Sequence, residues 1–540
     1  MHPPEIHPMN PKYFLIIMLA LLAGCSQAAA DRPAPTTFRM NISSEPPTLD
    51  WSLATDSVSF DVVNNIMEGL TQFDKDLHPQ PAVAERWEFL DGGRRLLFHL
   101  RPGVRWTDGK PVTARDFEYS WKRLLNPAIG AEYAYFLYDL VNARAYNEGK
   151  ITDSNLVGVR ALDDLTLEVR LVAPRAYFPS ITTFMVTFPM RRDIVERYGE
   201  QWTEPGNIVT LGPFRLQRWQ HDYKVTLTRN PTYYGPPPPL GRVEMYVVPE
   251  PNTALTLYET GFLEVVNLTP LAIPRYRRHP EYVTAPQLRG NYYGFNVEKK
   301  PFHDVRVRKA FAMAVDKSQL TRILQGGEIP TNSWVPKGMF GYNPEIGLRF
   351  NPREAQRLLA EAGYPGGKGF PPVKAVFNSD PVNSLIAEFL QGQWRRNLGV
   401  SIELDNQEWK VYLQNLKADP PPLFRLGWGA DYPDPDNFLN LFVTGGGNNN
   451  TKWGNRRYDE LIERAGAETN ERTRVALYNE AQKILTEEDV PIISLFISAQ
   501  NMLIKPYVQG YEVNAMDILY LKRVSLANPG KKRPGGTAGS

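Results

Sequence analysis

The chain has 540 residues, 42% of them apolar and 22% charged, with a formal net charge of +2. That balance excludes recognition by bulk charge, as nucleic acid would need, and the length calls for about two or three domains rather than one core. A single cysteine excludes a disulfide framework, so stability must come from burial.

At the N-terminus, Lys12 precedes an apolar run from Tyr13 to Ala23. The run reads as a secretory leader over residues 1–24, too short to cross a bilayer, which takes about 20 apolar residues. Leu22-Ala23-Gly24-Cys25 matches the bacterial lipobox, at which the leader is removed and Cys25 carries lipid. Residues 25–36, rich in Ala and Pro, then read as a tether with no core of their own.

Thr37 to Ser43 predicts a strand, and Val58 to Leu70 a helix ending at Gly69. Between 71 and 205 the pattern changes to short strands, among them Arg94 to Leu100 and Thr166 to Leu171, around a helix from Ala114 to Leu125. A strand restarts at Leu211-Gly212-Pro213-Phe214, followed by Lys224 to Arg229, Val243 to Val248 and a helix from Thr253 to Gly261. Gly290 to Val297 predicts a crossing strand, and Val305 to Val315 an amphipathic helix capped by Asp304.

Asn351 and Glu354 form a capping pair for a helix from Pro352, closed by Gly363; Pro381 to Leu398 repeats the plan between Asp380 and Gly399. Each is followed by a strand candidate, Val373 to Phe377 and Val400 to Leu404, so this half reads as βαβ units with helices over a sheet. Helices near Tyr458 to Ala465 and Arg472 to Leu485, then a strand from Pro491 to Ile497, complete the pattern. Residues 528–540, polar and rich in Gly and Lys, are expected to be disordered.

One stretch stands apart. Leu423 to Leu426 reads as a strand, Gly427, Gly429 and Ala430 remove side chains, and Asp431 follows Trp428 just before a Pro-rich turn. Small residues let another backbone approach, and a carboxylate beside them suits a ligand that brings its own backbone and ammonium group. Read alone, an Asp before Tyr-Pro is a turn former, and Asp431, Asp434 and Asp436 interleaved with Pro are more economically a turn than the paired acids of a glycosidase. There is no Gly-x-Ser-x-Gly elbow, no His-Glu-x-x-His and no spare Cys nucleophile, and the seven His are scattered, which argues against an enzyme and against a metal site.

This stretch resembles the matching segment of the oligopeptide-binding proteins, the solute-binding components of bacterial ABC peptide importers. Ser44-Glu45-Pro46-Pro47-Thr48-Leu49-Asp50, Trp106-Thr107-Asp108-Gly109-Lys110-Pro111, Leu211-Gly212-Pro213-Phe214 and Asp304-Val305-Arg306-Val307-Arg308-Lys309-Ala310 resemble that family in its usual order. The resemblance implies an α/β, periplasmic-binding-protein-like fold of two lobes joined by hinge strands, with an additional α+β domain. It implies a first lobe of residues 37–70, 206–290 and 500–527, the extra domain at 71–205 and a second lobe at 291–499. It further implies that Asp431 holds the ammonium of an oligopeptide and Arg425 the carboxylate of a short one, with Trp428, Gly427 and Gly429 beside them. Tyr133 and Ser57 would reach the ligand from the other side, with Tyr292 and Tyr293 near the crossing strand.

The partners implied are the permease and ATPase subunits of the importer and, through Cys25, a membrane. The protein itself is expected to be a monomer that needs no cofactor and performs no chemistry. Dipeptides, a murein peptide or a chelated metal stay open as ligands of the same fold, and a carboxylate-based hydrolase as the other class.

Overall fold

A computed structural model of the chain describes residues 36–527. The expected leader, Cys25, the expected tether up to residue 35 and the tail 528–540 lie outside the described residues. The fold is α/β and two-lobed, and one eleven-stranded sheet runs through both lobes. In the second lobe, Lys374–Asn378 lies parallel to Glu403–Gln407 and to Leu423–Gly429. In the first, Thr37–Asn41 lies parallel to Arg242–Tyr246 and Val265–Asn267.

Two long antiparallel strands, Tyr282–Phe295 and Ile492–Ile504, join these halves. The crossing strand is therefore much longer than Gly290 to Val297, and its partner longer than Pro491 to Ile497. Their pairing is interrupted: Tyr282 to Pro286 pairs with Leu503 to Ala499, and Gly290 to Gly294 with Ile497 to Ile492, with a register shift between Pro286 and Gly290. Pro286 has no N–H to donate, which favours a bulge at this point. The displaced backbone is satisfied elsewhere, for Leu288 N donates to Ala515 O at 2.6 Å and Ala430 N donates to Leu288 O at 2.8 Å.

Alternation along Tyr282–Phe295 sends successive side chains to opposite faces of the sheet. Tyr292 packs on one face against Trp334 and Phe442, and Tyr293 on the other against Trp394, at ring separations of 5.1, 5.6 and 6.3 Å. Each face carries its own core. A separate four-stranded antiparallel sheet, ordered Ala84–Leu90, Arg95–Leu100, Thr166–Arg170 and Val159–Ala161, lies in the 71–205 segment. The helix Ala114–Leu125 buries Phe117, Trp121 and Leu124 and carries a reciprocal Thr113–Asp116 capping box. These residues share one core with Phe38, Val62 and Val243 of the first lobe.

Helix termini follow local chemistry closely. Pro381–Leu398 begins at Asp380, whose side chain accepts from Val382 and Asn383, and ends on Gly399 at φ +71°. The first helix departs from expectation: it spans Ser57–Ile66, and Met67 is already extended. Gly69 serves a close approach instead, because a Cβ there would lie 2.4 Å from the Thr182 carbonyl oxygen.

Candidate binding cleft between the lobes

A cavity of about 510 Å³ opens where the crossing strands bulge. Its floor is Gln287, Leu288 and Arg289; one wall is the end of the second-lobe strand, Gly427 to Asp431. The opposite walls come from the first helix through Ser57, Phe60 and Asp61, from Tyr133, Tyr135 and Phe184, and from Ala515 to Ile518. Six of the residues singled out in the sequence, Ser57, Tyr133, Gly427, Trp428, Gly429 and Asp431, border this one space.

Asp431 is partly buried, and its carboxylate accepts from Tyr135 Oη at 3.3 Å and lies 3.5 Å from Asn437 Nδ2. No Lys, Arg or His of the described residues pairs with it. Burial pushes its carboxyl up to about 6, partly offset by the hydrogen bonds from Asn437 and Tyr135. A carboxylate desolvated without a cation is a poor arrangement for an empty protein and a good one for a protein that receives a cation.

Its position is set by the short helix Pro435–Leu439. Asn437 is buried there, and its Oδ1 accepts from Trp428 Nε1 at 2.9 Å and from the Asp431 backbone N–H at 3.0 Å. Asp434 caps this helix through the Asp436 N–H and forms a buried ion pair of 2.8 Å with Arg474. Asp436 accepts from Tyr432 Oη at 2.9 Å, and burial, together with the charge of Asp434, pushes its carboxyl up to about 7. The Asp triplet thus divides into one cleft carboxylate and two that build the turn beneath it.

Tyr133 packs, with its ring tilted, into an aromatic wall with Phe60 and Phe184 at 6.3 and 5.4 Å. Burial, and then the charge of Asp431, pushes its phenol up to about 12. Beyond Asp431 lies a further cavity of about 660 Å³, edged by Asp139, Arg175 and Gly445 to Gly447; Trp428, Tyr135 and Asp431 border both spaces.

Arg425 and Tyr293 do not join this group. Arg425 donates to Asn291 Oδ1 at 2.6 Å and reaches Asn378 Oδ1 at 3.4 Å, below the glycines rather than in the cavity. Tyr293 is fully buried on the core face, as alternation along its strand requires. Tyr292, one position earlier, is likewise core, on the other face. Sequence reading missed Tyr135, Asn437 and Arg289. Only Tyr135, two residues from Tyr133, carried any local signal.

Two lobes bridged by a bulged strand pair, with an unpaired carboxylate in the gap between them, define a solute-binding protein of the two-lobed class. Residues 78–450 match the family model described as bacterial extracellular solute-binding proteins, family 5 middle, and the chain belongs to that family. Membership places it outside the cytoplasm. It is 33% identical over 530 residues to the probable deoxycholate-binding periplasmic protein YgiS of Escherichia coli, covering 95% of this chain and 98% of that one. It is 32% identical over 507 residues to the oligopeptide-binding protein OppA of Bacillus subtilis, covering 89% and 92%. Among solved structures, the unliganded open form of the murein tripeptide-binding protein MppA superposes with a TM-score of 0.81 at 30% identity, covering 91% of this chain and 97% of that one.

Proposed function

We propose that the chain is the substrate-binding component of a bacterial ABC peptide importer, capturing peptides in the cleft and presenting them to permease and ATPase partners. The observation that carries this reading is Asp431, a desolvated carboxylate with no basic partner among the described residues, at the end of a strand cleared of side chains by Gly427 and Gly429. A peptide ammonium completes the pair. Backbone groups common to all peptides meet the exposed strand end, and Trp428 and Tyr133 face the side chains. Lipid on Cys25 holds the protein at a membrane, and the protein acts as a monomer without chemistry of its own.

Removing one partner of a desolvated ion pair costs about 3–5 kcal/mol. Against a micromolar ligand, worth about 8 kcal/mol, that loss abolishes useful binding. The purified protein, offered a mixed pool of free and N-acetylated peptides, is expected to retain free peptides unchanged and to leave the acetylated ones in solution. Retention of both alike, cleavage of the pool, or tight binding of deoxycholate with indifference to every peptide overturns the reading.

A further inference from the structure

The first helix turns one face to the cleft. Ser57, Phe60, Asp61 and Asn64 recur at helical spacing and border the 510 Å³ cavity, while Val62, Val63 and Ile66 are buried behind them. Asp61 is thereby fixed on the first-lobe wall, whereas Asp431 belongs to the wall of the second lobe. A third carboxylate, Asp517, reaches the same space from the C-terminal segment. Its turn is held by Asn514, whose Oδ1 accepts from the Met516 and Ile518 N–H groups at 3.1 Å each. Asp517 stands there at φ +58°, a left-handed conformation that Asp tolerates.

The acids near the first helix have different employments. Asp56 is committed to the helix cap, accepting from Ser59 N and Oγ at 2.8 Å each. Asp61 is partly buried and Asp517 exposed, and neither carboxylate has a hydrogen bond or ion pair with any of the described residues. Burial, and then the charges of Asp517 and Asp56, push the Asp61 carboxyl well up. Arg289, the one basic residue among the described residues bordering the cavity, offsets Asp517 and not Asp61. Nor does the space end at the two acids. Both also border a side cavity of about 270 Å³, lined by Met40, Ile42, Val58 and Met502, so a group that reaches them has room beyond. A desolvated carboxylate beside a second one, with no cation of its own, is left short of positive charge.

Resting on the peptide reading above, we propose that Asp61, with Asp517 beside it, receives a cationic side chain of the ligand, so that the cleft selects peptides carrying Lys or Arg over neutral ones of similar size. Asp431 keeps the terminal ammonium on the other wall. The side chain's aliphatic stem crosses the cavity over Phe60, Leu288 and Met516, which border it, and the charged head meets the acids. A neutral side chain leaves Asp61 unmatched and an acidic one adds a like charge, so the wall both attracts and rejects.

Calorimetric titration of the mature protein tests this with tripeptides of alanine carrying Lys, Nε-acetyl-lysine or Glu at each position in turn, on the parent, Asp61→Asn, Asp61→Glu and Asp517→Asn. At one position or more, the parent is expected to bind the Lys peptide about tenfold more tightly than its acetyl-lysine counterpart, with Glu the weakest. Asp61→Asn should bring the Lys to acetyl-lysine ratio close to one without lowering the melting temperature, Asp61→Glu should keep most of it, and Asp517→Asn should reduce it severalfold. A parent ratio near one at all three positions overturns the proposal, as does a ratio that survives Asp61→Asn. N-acetyl Ala-Lys-Ala reads Asp431 separately. If the blocked terminus is rejected while Lys and acetyl-lysine bind alike, the side-chain assignment alone fails; if blocked and free termini bind alike while the Lys ratio holds, Asp61 keeps its role and the reading of Asp431 falls.

Discussion

Asp431 pays for readiness with instability. Its folded carboxyl stands above the ordinary 3.8, at about 6, so the folded empty protein binds that proton more tightly than the unfolded chain does. The resulting cost is absent at low pH, grows as pH rises through about 4 to 6, and is complete above, on the order of 3 kcal/mol. Asp431→Asn is accordingly expected to stabilise the ligand-free protein by about 1–3 kcal/mol at pH 7.5 and by little at pH 4, in urea unfolding at both values. The same substitution should remove selection for free amino termini. In the parent, peptide affinity should be full above about pH 7 and fall as pH drops through about 6 and the carboxyl takes up its proton, a dependence that titration calorimetry between pH 5 and 8 would register. None of this balance is visible in the residue's neighbours along the chain, which read only as a turn.

At the scale of elements, the helix Pro435–Leu439 is the support of the site. It holds Asn437, which holds both Trp428 and Asp431, and it is itself held by the Asp434–Arg474 pair, whose side chains are 7% and 8% exposed. Asp434→Ala leaves the Arg474 guanidinium buried without its counter-ion and uncaps the helix. It should cost about 3–5 kcal/mol of stability and weaken ligand binding, although Asp434 does not border the 510 Å³ cavity. A double substitution that also replaces Arg474 should lose less than the two single losses added; full additivity would show that the pair does not support the helix. Elements ended by their own caps, such as Pro381–Leu398, were readable residue by residue because capping is a short-range contact. Ser57–Ile66 was read too long because Gly69 looked like a terminator, whereas its smallness answers the Thr182 carbonyl more than a hundred residues away.

The whole molecule is a pair of lobes whose shared sheet narrows to Tyr282–Phe295 and Ile492–Ile504, with the break in their pairing directly beneath the cleft. A bulge absorbs backbone rotation where a continuous ladder would resist it, so closure about this line is the motion the topology favours. Saturating peptide should reduce the radius of gyration measured by small-angle X-ray scattering, and an N-acetylated peptide should leave it unchanged. A radius insensitive to bound peptide would mean that the ligand is held without closure. Local chemistry, written in neighbouring residues, determined the helix caps, the α/β character, the family and the wall Gly427 to Asp431, since these depend on contacts a few positions apart. The tertiary structure decided which residues meet beyond the local chain: it turned Tyr293 into the core, set Arg425 below the cavity, brought Tyr135 and Asn437 to Asp431, and put Arg289 on the border of the same cavity. Register and burial are properties of the assembled sheet, and a one-residue shift in either reverses which face a side chain serves.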